Sequence, residues 1–249
     1  MGVRKAILVI SAVAAVVAGS TMWAFNAYAN DDRGSAHDTH DGTKDDASKE
    51  PEFTGCETGP YQEQVEQALN GLGGFGTLNV DGRQSRNDCD AIKDFQKRFG
   101  VKSAEGTADK LTDTLARHLV GSDMDKCGGG SGRVVCVDLT HQTLWVTKNG
   151  KTVFGPTVVR TGKKGLTTAT GHFFINSRGE KHWSTIYHEW LPYWQHFYNG
   201  MGLHETTTYL HDPNGSHGCV NLLHDDAKKL YGMLRMNDAV HVFGHRSGT

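Results

Sequence analysis

The sequence predicts an α+β chain: a small three-helix domain followed by a mainly β domain that carries one short helix. Two features of pattern and one of composition predict it. Between residues 59 and 120 apolar positions recur every three or four residues, and from Arg133 onward they recur every second residue. Those are the periods of an amphipathic helix and of a strand. A polar stretch at 122–132, holding Gly128, Gly129 and Gly130, separates the two patterns. Glycine is frequent, at 31 residues, and proline rare, at 5, a balance that suits a turn-rich β domain better than a helical bundle.

The N-terminal segment belongs to neither domain. Arg4 and Lys5 precede an apolar run at 6–18, and Ala27 and Ala29 supply small residues at −3 and −1 of a cleavage point before Asn30. This is the pattern of a secretory signal peptide. The rival is an uncleaved membrane anchor, because apolar character extends weakly to Phe25 and about 20 residues span a bilayer. Both readings of 1–29 place the remainder outside the cytoplasm, where disulfides persist. Residues 30–53 are acidic and nearly free of apolar side chains, so they read as a disordered linker. A formal net charge of −2 offers no basic footprint for nucleic acid.

The helical domain is expected at 54–121. Val65, Leu69 and Leu72 share one helix face, and Val80-Asp81-Gly82 marks a turn. Ile92, Phe95, Gln96 and Phe99 mark a second helix, closed by Gly100, with Asp88 as its expected N-cap. Leu111, Leu115 and Leu119 mark a third. A core this small is marginal, and the two polar boundaries suggest a separable module. The β domain is expected at 133–249. Val135, Val137 and Leu139 alternate with Cys136 and Asp138, and residues 143–147 follow. Asn149-Gly150 between β-like runs is a hairpin signal. Residues 157–161, 172–175 and 240–243 read as further strands and 225–234 as the short helix. Residues 180–198 are rich in aromatic side chains.

Five cysteines, an odd number, suggest two disulfides and one free thiol in a secreted protein. Of the three possible pairings, Cys56–Cys89 and Cys127–Cys136 are favoured because each lies inside or beside one module. The remaining Cys219 stands in Ser216-His217-Gly218-Cys219-Val220-Asn221. The thiolate is the nucleophile of a cysteine, so a working Cys needs a base or a positive neighbour. On an extended backbone His217 and Cys219 would share a face. Gly218 permits a backbone conformation closed to other residues and a close substrate approach. His204 and His211 supply further imidazoles. With His217 and Cys219 they are also possible zinc ligands. The zincin string is absent, however, since neither His204-Glu205 nor His188-Glu189 is followed by its second His. No metal site is expected.

Gly202-Leu203-His204, eleven residues, then Ser216-His217-Gly218-Cys219-Val220-Asn221 resembles the active-site signature of the L,D-transpeptidase catalytic domain family. Val137-Asp138-Leu139-Thr140 and Gln142-Thr143-Leu144-Trp145-Val146 look like the opening of the same domain, and the resemblance runs from 133 to 243. The chain departs from many members at Ala169-Thr170-Gly171, where Thr-Pro usually precedes the Gly. In the helical domain, Val80-Asp81-Gly82 and residues 91–101 resemble the core of small peptidoglycan-binding domains, with Ala104-Glu105-Gly106 in place of a second Asp-Gly.

The resemblance implies a sandwich-like β fold and cysteine-dependent acyl transfer without a cofactor. Cys219 would attack a donor stem peptide of peptidoglycan and release a terminal D-Ala. The amine of a second stem would resolve the thioester into a 3→3 cross-link. His204 would be the base, oriented by the backbone carbonyl of Glu205, whose carboxylate would raise the pKa of His204. His217 would support the site from behind or stand on the acceptor side. The N–H groups of Gly218 and Cys219 would form an oxyanion hole, assisted by Tyr187. Ser216 and Asn221 would shape the loop or hold the donor, and the aromatic segment, with Tyr187 and Tyr198, would be a lid over the stem peptide. Expected partners are peptidoglycan stem peptides and glycan, and carbapenems as inhibitors. The chain is expected to act as a monomer, secreted and wall-associated. Two other readings use the same residues: an L,D-carboxypeptidase, in which water replaces the amine, and a non-catalytic wall-binding protein, against which the intact Ser-His-Gly-Cys argues.

Overall fold

The computed structural model describes residues 55–127 and 130–249. The expected signal peptide or anchor and the acidic linker lie outside the described residues. Among the described residues no helix is long and apolar enough to cross a membrane.

Three helices form where the 3.6-residue pattern places them: α1 (Gln62–Leu72), α2 (Arg86–Arg98) and α3 (Lys110–Val120). Their apolar stripes meet, with Val65, Leu69, Ile92, Phe95, Phe99, Ala116 and Leu119 buried. The N-cap of α2 is Ser85 rather than Asp88. Ser85 Oγ accepts from the Asp88 N–H at 3.2 Å, and the Asp88 carboxylate accepts from the Ser85 N–H at 2.9 Å. Asp88 is thus the acidic third residue of a capping box, and its cap-like identity hid the true start three residues earlier. Buried polar groups fix the loops. Glu66 accepts the N–H groups of Asp81 and Gly82. The Gln96 amide donates to Thr107 O and Thr112 Oγ1 and accepts from the Gly106 N–H. The Cys56–Cys89 disulfide ties the leading segment to α2.

The second part contains β1 (Arg133–Asp138), β2 (Thr143–Lys148), β3 (Lys151–Val158), β4 (Gly171–Phe174), β5 (Ser177–Ser184), β6 (Glu189–Tyr198), β7 (Met201–Glu205), β8 (Val220–Leu222), α4 (His224–Met233) and β9 (Ala239–Phe243). One sheet runs β3-β2-β1-β9-β4 and the other β5-β6-β7-β8. Asn149 and Gly150 both have positive φ, 52° and 75°, as a two-residue hairpin turn between β2 and β3 requires. Val135, Val137, Leu144 and Val146 of the first sheet pack against Leu203, Val220 and Leu222 of the second, with Leu230 of α4 closing the core. The aromatic stretch folds as the long β5–β6 hairpin, paired from Ser177↔His196 to Ser184↔Glu189. The Cys127–Cys136 disulfide fixes the 3₁₀ turn Met124–Cys127 to β1.

The helical part packs against the β part. Val158 and Leu210 sit in the helical core. Arg98 forks onto Asp226 of α4 at 2.9 and 3.1 Å, and Asp226 also accepts from Thr157 Oγ1. Gly100, at φ 71°, packs so closely on Leu223 that a Cβ there would fall 2.7 Å from its side chain.

Candidate active site

Strand alternation builds the site. β7 and β8 pair in parallel with Leu203 opposite Val220 and His204 opposite Asn221. Leu203, Val220 and Leu222 face the core. The alternate positions His204 and Asn221, with Cys219 just before β8, open on the other side into a cleft of about 310 Å³.

The loop before β8 is held by its own side chains. Ser216 Oγ donates to Cys219 O at 2.6 Å and accepts from the Gly218 N–H at 3.1 Å. Thr168 Oγ1 donates to Gly218 O at 2.9 Å. Gly218 has φ 113°, and a Cβ there would stand 3.2 Å from the Met201 side chain. Bonding to Ser216 removes the Gly218 N–H from the expected oxyanion pair. The Cys219 N–H has no protein acceptor among the described residues.

Cys219 is 9% exposed and packs with Leu191 and Trp194. Its polar neighbours are Gly200 O, 3.8 Å away, and the Gly202 N–H. Burial pushes the thiol up to about 11, opposed by the Gly202 N–H and reinforced by the Glu189 carboxylate. His204 is 6% exposed. Its Nδ1–H donates to Glu205 O at 2.6 Å, and its Nε2 lies 3.5 Å from the Asn221 amide. Burial lowers its pKa to about 4 against that backbone bond, and Arg160 lowers it further. The Glu205 carboxylate does not raise it as expected, because it turns away to His224 Nδ1 at 3.0 Å.

His217 does not pair with Cys219. The segment bends at Gly218, so the i, i+2 rule for extended backbone does not hold there. His217 Nε2 instead meets Lys163 Nζ at 3.0 Å, and its ring stacks on Tyr187 at 4.6 Å and 12°. With an ammonium as donor, Nε2 is the acceptor and Nδ1 carries the ring proton. Burial followed by the charges of Cys219 and Glu189 raises the Tyr187 hydroxyl pKa. Tyr198 is not brought to the cleft: its ring packs on Phe173 at 4.7 Å. His211 Nε2 lies 2.6 Å from Phe99 O in the helical part. His211 and His217 are thus engaged away from the thiol, and the described residues hold no cluster of metal ligands.

Three cleft residues escaped the sequence reading. Arg160 is buried and donates to Tyr209 O, Thr206 Oγ1 and Thr208 Oγ1, while its backbone exchanges two hydrogen bonds with Asn221. Lys163 donates its backbone N–H to Ser216 O. Glu189 lines the cleft from the start of β6. A buried Arg at a strand end and a charge inside an aromatic run carry no local signature.

The comparisons with known proteins agree with this geometry. The family model described as the L,D-transpeptidase catalytic domain matches residues 132–242. No curated protein matches the chain. An L,D-transpeptidase structure from Stackebrandtia nassauensis is 53% identical, covering 81% of this chain and 100% of that one, with a TM-score of 0.78. An Enterococcus faecium L,D-transpeptidase carrying a Cys-to-Ser substitution is 29% identical, covering 45% of this chain and 50% of that one, with a TM-score of 0.40. Another L,D-transpeptidase, solved in complex with imipenem, is 21% identical, covering 46% and 60%, with a TM-score of 0.41. Identity of 53% along the whole of a solved relative, on a chain with the signature intact at the mouth of one cleft, shows that this protein belongs to the L,D-transpeptidase family.

Proposed function

We propose that the chain is a secreted, cysteine-dependent L,D-transpeptidase that joins peptidoglycan stem peptides by 3→3 cross-links. Cys219 attacks the carbonyl of the third residue of a donor stem, terminal D-Ala leaves, and the amine of a second stem resolves the thioester. One observation carries this reading. His204 spends its Nδ1–H on Glu205 O, so Nε2, 3.5 Å from the Asn221 amide, carries the basic lone pair, on the sheet face that also presents Cys219. The thiol near 11 and the imidazole near 4 make the resting pair neutral at physiological pH. Proton transfer to His204 then accompanies attack, as general-base catalysis, in place of a standing ion pair. The Cys219 N–H is the donor left for the developing oxyanion, and the Tyr187 hydroxyl, at the cleft wall, is the second. Asn221 holds His204 and the donor, Ser216 and Gly218 shape the loop, and His217 faces the acceptor. The helical part brings the enzyme to the wall. Carbapenems acylate Cys219, an expectation supported by the imipenem complex of another member.

The test is mass spectrometry of the products from a tetrapeptide donor and an amine acceptor. The expected result is loss of D-Ala, gain of the acceptor, a transient adduct on Cys219 and no product from Cys219→Ser. Tripeptide acid as the sole product would make the enzyme an L,D-carboxypeptidase instead.

A further inference from the structure

The cleft holds one carboxylate that acylation does not use. Glu189 and Leu191 are alternate residues of β6 and share a face. Leu191 packs on Cys219, and Glu189 lines the same cleft as Cys219 and Tyr187. The other carboxylates of the cleft are engaged: Glu205 with His224 at 3.0 Å, and Asp212 with the Asn214 N–H at 2.9 Å. The Glu189 side chain makes no hydrogen bond or ion pair among the described residues. Its charge opposes ionisation of both Cys219 and Tyr187 and also acts on the Arg160 guanidinium in the same cleft. A carboxylate so placed does nothing for thiolate formation, but it favours a cation beside the sulfur. The amine that must resolve a thioester is a cation in water near neutral pH.

Resting on the acyl-transfer reading, we propose that Glu189 binds the ammonium of the acceptor beside the Cys219 thioester and so directs the enzyme toward aminolysis over hydrolysis. The bound ammonium releases one proton to solvent, and its nitrogen attacks the thioester carbonyl. The C–N bond forms and the C–S bond breaks. The second surplus proton passes through His204 to the departing sulfur, and the third stays on the amide nitrogen.

The experiment reads the partition of the acyl-enzyme. The chain is acylated with a tetrapeptide donor, and the ratio of aminolysed to hydrolysed product is measured with Nα-acetyl-lysine and, separately, with hydroxylamine, which is uncharged near neutral pH. That ratio does not depend on how fast the acyl-enzyme forms. Glu189→Gln is expected to lower the amine-to-water ratio roughly tenfold, the size of one charge-assisted hydrogen bond. The hydroxylamine-to-water ratio should hold, and Glu189→Asp should restore part of the loss. An equal fall for both nucleophiles, or no fall for the amine, overturns the proposal. A parent chain that forms no adduct on Cys219 is a different outcome, which overturns the acyl-transfer reading and this inference with it.

Discussion

His204 and His217 differ in what their ring nitrogens meet, and that difference sets their expected chemistry. His204 is buried, with one nitrogen on a carbonyl and the other toward the cleft, whereas His217 is exposed, held by Lys163 and stacked on Tyr187. The single-turnover acylation rate of the parent should be flat from neutral pH down to about 5, and fall as His204 takes a proton at about 4. His204→Ala should slow acylation at pH 7 by roughly 10²- to 10⁴-fold. Part of that loss should return only at strongly alkaline pH, because the thiol ionises at about 11. His217→Ala should be slow without such recovery. Recovery by His217→Ala in place of His204→Ala would reverse the two roles. Gly218→Ala forces a side chain onto φ 113° beside Met201. It should cost about 1–3 kcal/mol in urea unfolding, and an unchanged midpoint would contradict the strained-turn account.

At the scale of elements, the helical part and the cleft share a wall. The segment after β7 is pinned from one side by Arg160 and from the other by the helical part, through His211 against Phe99 O and Leu210 in the helical core. The Arg98–Asp226 fork spans the same interface, with Asp226 buried. Arg98→Ala should therefore cost about 2 kcal/mol, because it leaves a buried carboxylate with only a hydroxyl partner. Lys at that position should recover less than half, since it lacks the planar fork. Docking also predicts one cooperative transition. The four described tryptophans, Trp145, Trp183, Trp190 and Trp194, all lie in the β part, while three of the four α-helices lie in the other. Fluorescence and far-ultraviolet circular dichroism should therefore report coincident unfolding. Two separated midpoints would show that the parts unfold independently.

At the scale of the whole molecule, buried imidazoles make stability depend on pH. In the unfolded chain His204 binds its proton near 6.5, but in the fold it resists until about 4. Between those values the unfolded state holds more protons, so stability falls as pH drops from 6.5 to 4 and is level below. The contribution is about 3 kcal/mol. His118, His211 and His241 are lowered chiefly by burial too and act in the same direction. Cys219 acts at the other end, where stability falls as pH rises from 9 toward 11. Urea unfolding at pH 7, 5.5 and 4.5 should show a shallower decline for His204→Gln than for the parent. Identical slopes would remove His204 as a source.

Much of this molecule is written in local pattern. The 3.6-residue stripes became α1, α2 and α3, the alternation after Arg133 became two sheets, and Asn149-Gly150 became the hairpin turn. The odd cysteine count, with the nearness of each pair to one module, anticipated both disulfides and the free Cys219. These were legible because periodicity, turn chemistry and cysteine parity act over a few residues or simply by number. Tertiary structure alone decided the rest. Gly218 at φ 113° turned His217 away from Cys219, and Ser216 took the Gly218 N–H from the expected oxyanion pair. His224 drew off the Glu205 carboxylate, and Phe173 held Tyr198 outside the cleft. Arg98 and Asp226, 128 residues apart, joined two parts that the sequence separates by a glycine-rich stretch. Each of these depends on a partner distant in the chain or on one backbone angle, and neither leaves a periodic trace for a sequence to show.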